Sequence, residues 1–143
     1  WYTILSRREG YRQAFARFDP EAVAAMDERD AYRLMQNSAI IRNRAKIRSA
    51  ISNAQAFLKI QAEYGSFDSY IWSFVGGAPI QNSWATMSDV PASTELSVTV
   101  SKDLKKNGFS FVGPTITYAH MQATGLVNDH LTSCFRHAEL SAS

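Results

Sequence analysis

The stretch "LMQNSAIIRNRAKIRSAI", Leu34 to Ile51, reads as two helices joined by a tight bend. One helix ends near Gln36, and Asn37 and Ser38 tolerate turn geometries. Ala39, Ile40 and Ile41 form an apolar triplet, and a basic helix starts at Arg42 to Lys46. The first turn of any helix carries backbone N–H groups without an intrahelical acceptor, so such a bend can receive an anion. Arg42, Arg44 and Lys46 add positive charge there. A nucleic-acid phosphate suits that arrangement. A solvated basic face beside an ordinary turn between helices is the competing reading.

Working outward, the pattern is helical almost throughout, which predicts an all-α chain. Tyr11, Phe15 and Phe18 recur at spacings of four and three after Arg7-Arg8, the signal of an amphipathic helix. Asp19 is placed to cap a helix that has Pro20 at its first position. Asp27 and Asp30 have capping-box spacing ahead of Tyr32, Leu34 and Met35, expected to pack. The longest helix is expected from about Asn43 to Tyr64, with one apolar stripe of Ile47, Ala50, Ile51, Ala54, Phe57 and Leu58 and a stop at Gly65. A shorter helix follows Ser66 and ends at Gly76-Gly77. Residues 78–92 read as a long loop. A helix over about 93–106 stops at Asn107-Gly108, although "VTV" at Val98 to Val100 weakens it. The last long helix has Pro114 at its first position and closes at Gly125.

The chain's 143 residues suit a single domain, and 45% apolar and 12% aromatic content argues against disorder. One cysteine excludes an internal disulfide and suits a reducing, cytoplasmic setting. No apolar run reaches membrane-spanning length. The chain opens on Trp1 in an apolar context rather than on Met, and we read it as lacking its natural beginning. Net charge is only +2, but it is segregated. No Asp or Glu falls between Ala31 and Ala62, where Arg33, Arg42, Arg44, Lys46, Arg48 and Lys59 lie, so a local positive field is expected.

Other chemical candidates are weaker in isolation. Trp1, Trp72 and Trp84 could stack on bases, though tryptophans are more often core. His120 reads as packing or surface, and His137 as an exposed tail residue. His130 and Cys134 stand four apart, which would put them on one side of a helical turn. A soft-metal site needs three or four protein ligands, so this pair alone is half a site or none.

Three runs carry a resemblance: "TILSRREGYRQAFARFDPEAVAAM", "AIIRNRAKI" and "FSFVGPTITYAHMQATGLVNDH". Together they resemble the DNA-3-methyladenine glycosylase I family, within the helix-hairpin-helix glycosylases. The likeness runs from Trp1 to about Cys134. It implies an all-helical fold, a helix-hairpin-helix over about residues 28–63, and hydrolysis of the N-glycosidic bond of 3-methyladenine in alkylated double-stranded DNA. It implies base flipping and no Schiff base. Ile40, Arg42, Arg44 and Lys46 would contact DNA, and Trp1 would stack on the extruded base. A tyrosine and a glutamate of the base pocket, and the residues that plug the duplex, would fall before Trp1. The resemblance also implies a structural zinc held by His130, Cys134 and a Cys and a His from that upstream segment. We expect a monomer.

Departures from the family are visible. Ala39 stands where the hairpin usually has glycine, a cost of about 1 kcal/mol if φ is positive there. Ala119 stands where a small hydroxyl residue is common. "STELSVTVSKDLKKNGF" is unusually β-branched. In agreement with the family, and unlike related glycosylases that carry an aspartate after the hairpin, no Asp falls between Ala31 and Ala62, in keeping with a narrow range of already activated substrates. Two other readings compete: a non-catalytic helical DNA-binding module, and a helical protein whose basic face touches no nucleic acid.

Overall fold

A computed structural model describes residues 2–141 and is mostly helical, as expected. In chain order the elements are α1 Tyr2–Leu5, α2 Arg8–Ala14, a short turn Ala16–Phe18, α3 Pro20–Ala24, α4 Glu28–Gln36, α5 Arg44–Tyr64, α6 Phe67–Ser73, β1 Ile80–Gln81, α7 Glu95–Lys106, α8 Pro114–Ala123, β2 Val127–Asn128 and α9 Phe135–Ser141. The chain divides into two compact units. The first runs through Gly65 and adds Asn107–Phe111; the second comprises Ser66–Lys106 and the chain from Val112 onward.

In the first unit the caps act where the residue types require. The Asp19 carboxylate accepts from the Ala22 N–H at 2.8 Å, with Pro20 next. Asp27 accepts from the N–H groups of Arg29 (2.8 Å) and Asp30 (3.1 Å), and Asp30 accepts from the Asp27 N–H, completing the box. Asn43 accepts from the Lys46 N–H at 3.0 Å and starts α5. Gly65 ends it at φ +81°, a conformation that costs glycine little. Each cap stabilises by about 1 kcal/mol.

The core of this unit is Phe15, Val23, Ala31, Leu34, Ile40, Ile47 and Ile51, with Tyr11, Ala14 and Met35 packed against it. The single stripe expected on α5 is incomplete. Ala50, Ala54, Phe57 and Leu58 are only half-buried, while Ser49, Ala56 and Ile60 are buried on another side. A central helix is covered on two faces: α3 and α4 pack on α5, and the returning segment passes close enough that a Cβ at Gly108 would lie 3.8 Å from the Ala56 Cβ. That segment is clamped by one side chain: Asn53 accepts from the Ser110 N–H (2.9 Å) and donates to the Ser110 carbonyl (3.1 Å).

Two expectations fail here. The helix carrying Tyr11 and Phe15 stops at Ala14, and Ala16, Arg17 and Phe18 take left-handed φ values of 50°, 59° and 63°. Bulky residues rarely adopt that region. Phe18 is thereby left 58% exposed, although the rings of Tyr11, Phe15 and Phe18 still stack in series at 6.2 and 6.4 Å. Tyr32, expected to pack, is 69% exposed.

In the second unit α7 forms despite its β-branched run, because one face is well buried: Ser97, Val100, Ser101 and Leu104 lie inside. Tertiary burial outweighs a weak propensity. Thr94 and Ser97 exchange hydrogen bonds at its start, and the buried Tyr70 hydroxyl donates to Asp103 at 2.7 Å. The expected loop over 78–92 holds a strand. Ile80 and Gln81 pair in parallel with Val127 and Asn128, and Trp84 bridges to Leu131. Two residues at 80 and two at 127 are too few to carry a legible strand signal.

Candidate nucleic-acid interface and the His130–Cys134 turn

The bend between α4 and α5 is built from its own side chains and from α2. The Asn37 carboxamide accepts from the Ala39 N–H at 2.9 Å, closing the turn locally. Arg7 donates to the Ser38 carbonyl at 2.5 Å, and the Ile41 N–H donates to the Tyr11 hydroxyl at 3.2 Å. Gly10 allows this approach: a Cβ there would run into the Ala39 carbonyl. Ala39 is not among the positive-φ residues, so the strain anticipated for alanine at this position does not arise. The Ile40 and Arg42 N–H groups have no acceptor among the described residues. With the first N–H groups of α5, they give the bend its capacity for an anion.

The predicted interface residues do not share one role. Ile40 has its side chain in the core at 2% exposure, so any contact from it to a ligand is through its backbone. Arg42, Arg44 and Lys46 are exposed. The acid-free run in sequence is answered in space by α4. Glu28 receives Arg48 at 2.6 Å and lies 3.9 Å from Arg44. The Arg48 hydrogen bond holds the Glu28 carboxyl below the usual range. Arg42 and Lys46 have no acid partner among the described residues, and they are the cations flanking the start of α5. Beside the bend a cavity of about 420 Å³ is lined mainly by apolar side chains, including Tyr11, Phe15, Phe18, Ile41, Phe57 and Phe109, with Lys46 as its cation.

In the second unit His130 and Cys134 do come together, but in a turn and not on a helix. The Cys134 N–H donates to the Leu131 carbonyl at 2.8 Å, and α9 begins only at Phe135. The Cys134 sulfur lies 3.8 Å from His130 Nδ1. Among the described residues no group of three or more His, Cys, Asp and Glu side chains gathers to hold a metal.

The residue before His130 organises this region, and the sequence reading did not single it out. Asp129 Oδ1 accepts from Asn82 Nδ2 (2.7 Å) and Trp84 Nε1 (2.8 Å), and Oδ2 accepts from Gln122 Nε2 (2.7 Å). The Tyr118 hydroxyl faces the same carboxylate without a well-formed hydrogen bond. Burial pushes the Asp129 carboxyl up, but donors around it outweigh burial and hold it below its usual value. Burial, reinforced by Asp129, raises the Tyr118 phenol. Trp84 is thus a structural donor within this cluster.

The remaining candidates are scattered. Trp1 lies outside the described residues. Trp72 is half-buried on α6, and Ala119 and His120 are exposed on α8. His137, expected in an exposed tail, is half-buried with its Nε2 2.7 Å from the Asn82 carbonyl. Buried Asn128 donates to Gln81 Oε1 (2.8 Å) and to the His137 carbonyl (3.2 Å), so α9 is tied back onto the strand pair.

Comparison with known proteins supplies the context that these contacts lack. A family model described as methyladenine glycosylase matches residues 1–137. The DNA-3-methyladenine glycosylase 1 of Escherichia coli (strain K12) is 49% identical over 134 residues, covering 94% of this chain and 72% of that protein. A crystal structure of 3-methyladenine DNA glycosylase I superposes with a TM-score of 0.88 at 51% identity, over 94% of this chain and 74% of that one. A variant of 3-methyladenine DNA glycosylase I in complex with 3-methyladenine superposes with a TM-score of 0.90 at 39% identity, over 94% and 73%. Matched over nearly its whole length by the family model and by a relative at 49% identity, this chain belongs to the methyladenine glycosylase family.

Proposed function

We propose that this protein removes 3-methyladenine from alkylated DNA by hydrolysing its N-glycosidic bond, as a monofunctional, base-flipping repair glycosylase. The single observation that carries this is the chain-wide likeness to 3-methyladenine glycosylases, one of them solved with 3-methyladenine bound. The family model runs through both units, which supports reading residues 1–143 as one glycosylase domain with a helix-hairpin-helix near residues 28–63.

The chemistry assigns the residues unequal work. Methylation at N3 leaves the purine cationic, so it departs readily once hydrolysis begins. Extrusion from the stack costs a few kcal/mol, and stacking on an aromatic side chain returns about 1–3 kcal/mol per base. Trp1 is the side chain we assign to that stacking. The bend's free N–H groups with Arg42 and Lys46 hold the sugar–phosphate strand of double-stranded DNA. Arg44 contributes less, because Glu28 lies beside it. Ile40 contributes its N–H.

His130 and Cys134 fit two corners of a structural zinc site. Their 3.8 Å separation is close to the roughly 3.6 Å expected between N and S across a tetrahedral zinc. Such an ion supplies folding free energy and no step of the reaction. The other two ligands would come from chain beyond the described residues. A single cysteine, Cys134, fits a cytoplasmic protein, and we assign a monomer.

The test is release of free 3-methyladenine from methylated duplex by the full-length form. Release well above the spontaneous rate is expected. Duplex binding that weakens steeply with salt, without base release from a folded sample, would instead make it a DNA-binding module.

A further inference from the structure

We propose that α2 is a second phosphate-binding flank of the hairpin, with Arg8 and Arg12 contacting the sugar–phosphate backbone of duplex DNA beside the strand held by the bend. The inference rests on the reading that the hairpin grips DNA, and it adds residues that the sequence pattern did not assign to that surface.

Three contacts lock α2 against the bend. Arg7 reaches the Ser38 carbonyl, Gly10 meets the Ala39 backbone, and Tyr11 accepts from the Ile41 N–H. Residues 7, 10 and 11 share one side of a helix, so the next side carries 8 and 12. Arg8 and Arg12 are both exposed, stand one turn apart, and line a common recess of about 360 Å³. The recess also takes in the Glu9 carboxylate, which accepts from the neutral Gln13 amide at 3.2 Å and so lowers the net charge of the recess without pairing with either guanidinium among the described residues. Neither guanidinium has an acid partner among the described residues. Arg7 has a different part: it covers a carbonyl that would otherwise repel a phosphate approaching the bend. Guanidinium forks about 6 Å apart along a helix suit bidentate contacts to successive phosphates. The rigid docking of α2 fixes where they point.

The experiment compares salt titrations of duplex binding for the full-length wild type, Arg8→Ala/Arg12→Ala, Arg8→Lys/Arg12→Lys and Arg42→Ala/Lys46→Ala. Each phosphate contact contributes about 0.9 to the slope of log K against log salt. The α2 alanine pair is expected to flatten that slope by about 2 and to weaken binding about tenfold or more at 0.1 M salt. The lysine pair should keep the slope, and melting temperatures should not change, since neither side chain makes a hydrogen bond or ion pair among the described residues. Unchanged affinity and slope in the α2 alanine pair, with the hairpin pair weakened, overturns the proposal alone. Insensitivity of both pairs overturns the hairpin reading with it.

Discussion

Two turns in this molecule solve opposite problems. The bend at residues 37–43 keeps backbone N–H groups and two cations facing outward, and side chains behind it absorb everything else: Asn37, Arg7, Tyr11 and Asn43 each satisfy one backbone group. The turn at residues 129–134 points its charge inward, where Asn82, Trp84 and Gln122 all donate to one carboxylate. The first leaves its unpaired groups open to solvent. The second ties distant pieces of chain together and in doing so sets His130 beside Cys134. A turn's role follows from where its unpaired groups face.

The contrast can be broken most forcefully at Asp129. Asp129→Ala should cost about 2–4 kcal/mol of stability, because two half-buried donors, Asn82 and Trp84, lose a charged acceptor. Denaturant unfolding of the full-length form would measure it, and a loss under 1 kcal/mol would deny the hub. Next is Gly10→Ala, which should cost about 1–3 kcal/mol, since the new methyl meets backbone that cannot rotate away. Its duplex binding should fall too, because the bend moves; retained melting and binding would show that α2 does not brace the bend.

A smaller effect is expected with the opposite sign. Arg17→Gly should stabilise by about 1 kcal/mol, because φ of 59° is strained for arginine and free for glycine. Thermal melting would decide it, and a lower melting temperature would mean that the arginine side chain matters more than its backbone.

The smallest effect is with pH. Backbone hydrogen bonds from Asp30 and Arg29 hold the Asp27 carboxyl below its ordinary value. A depressed folded pKa stabilises above the unfolded value of roughly 3.9 and loses that contribution as pH falls through the folded value. Wild type should therefore lose slightly more stability than Asp27→Asn between pH 5 and 2.5 (about those limits bracket the transition). Parallel acid curves for the two would exclude the box as a titrating contributor.

Much of the fold was legible because helix ends are written locally. Asp19, Asp27, Asn43, Ser66 and Gly65 announce caps and stops within three or four residues of where they act. The bend between α4 and α5 was legible for the same reason, and the motifs around it carried the family. The strand pair was not, since two residues at 80 and two at 127 have meaning only when paired. The left-handed turn after Phe15 was hidden for another reason: no glycine marks it, and the aromatic spacing there imitates a continuing helix.

By itself, then, the order of amino acids determined helical class, most helix ends, the basic bend and membership of the family. Which positive charges remain available was settled only in three dimensions, when Glu28 came to rest against Arg48 from 20 positions away. So was the part played by Asp129, whose partner Asn82 lies 47 positions away. Capping and turn preferences act between near neighbours and can be read directly. Ion pairing, burial and hydrogen-bond convergence depend on distances that exist only after the chain has closed on itself.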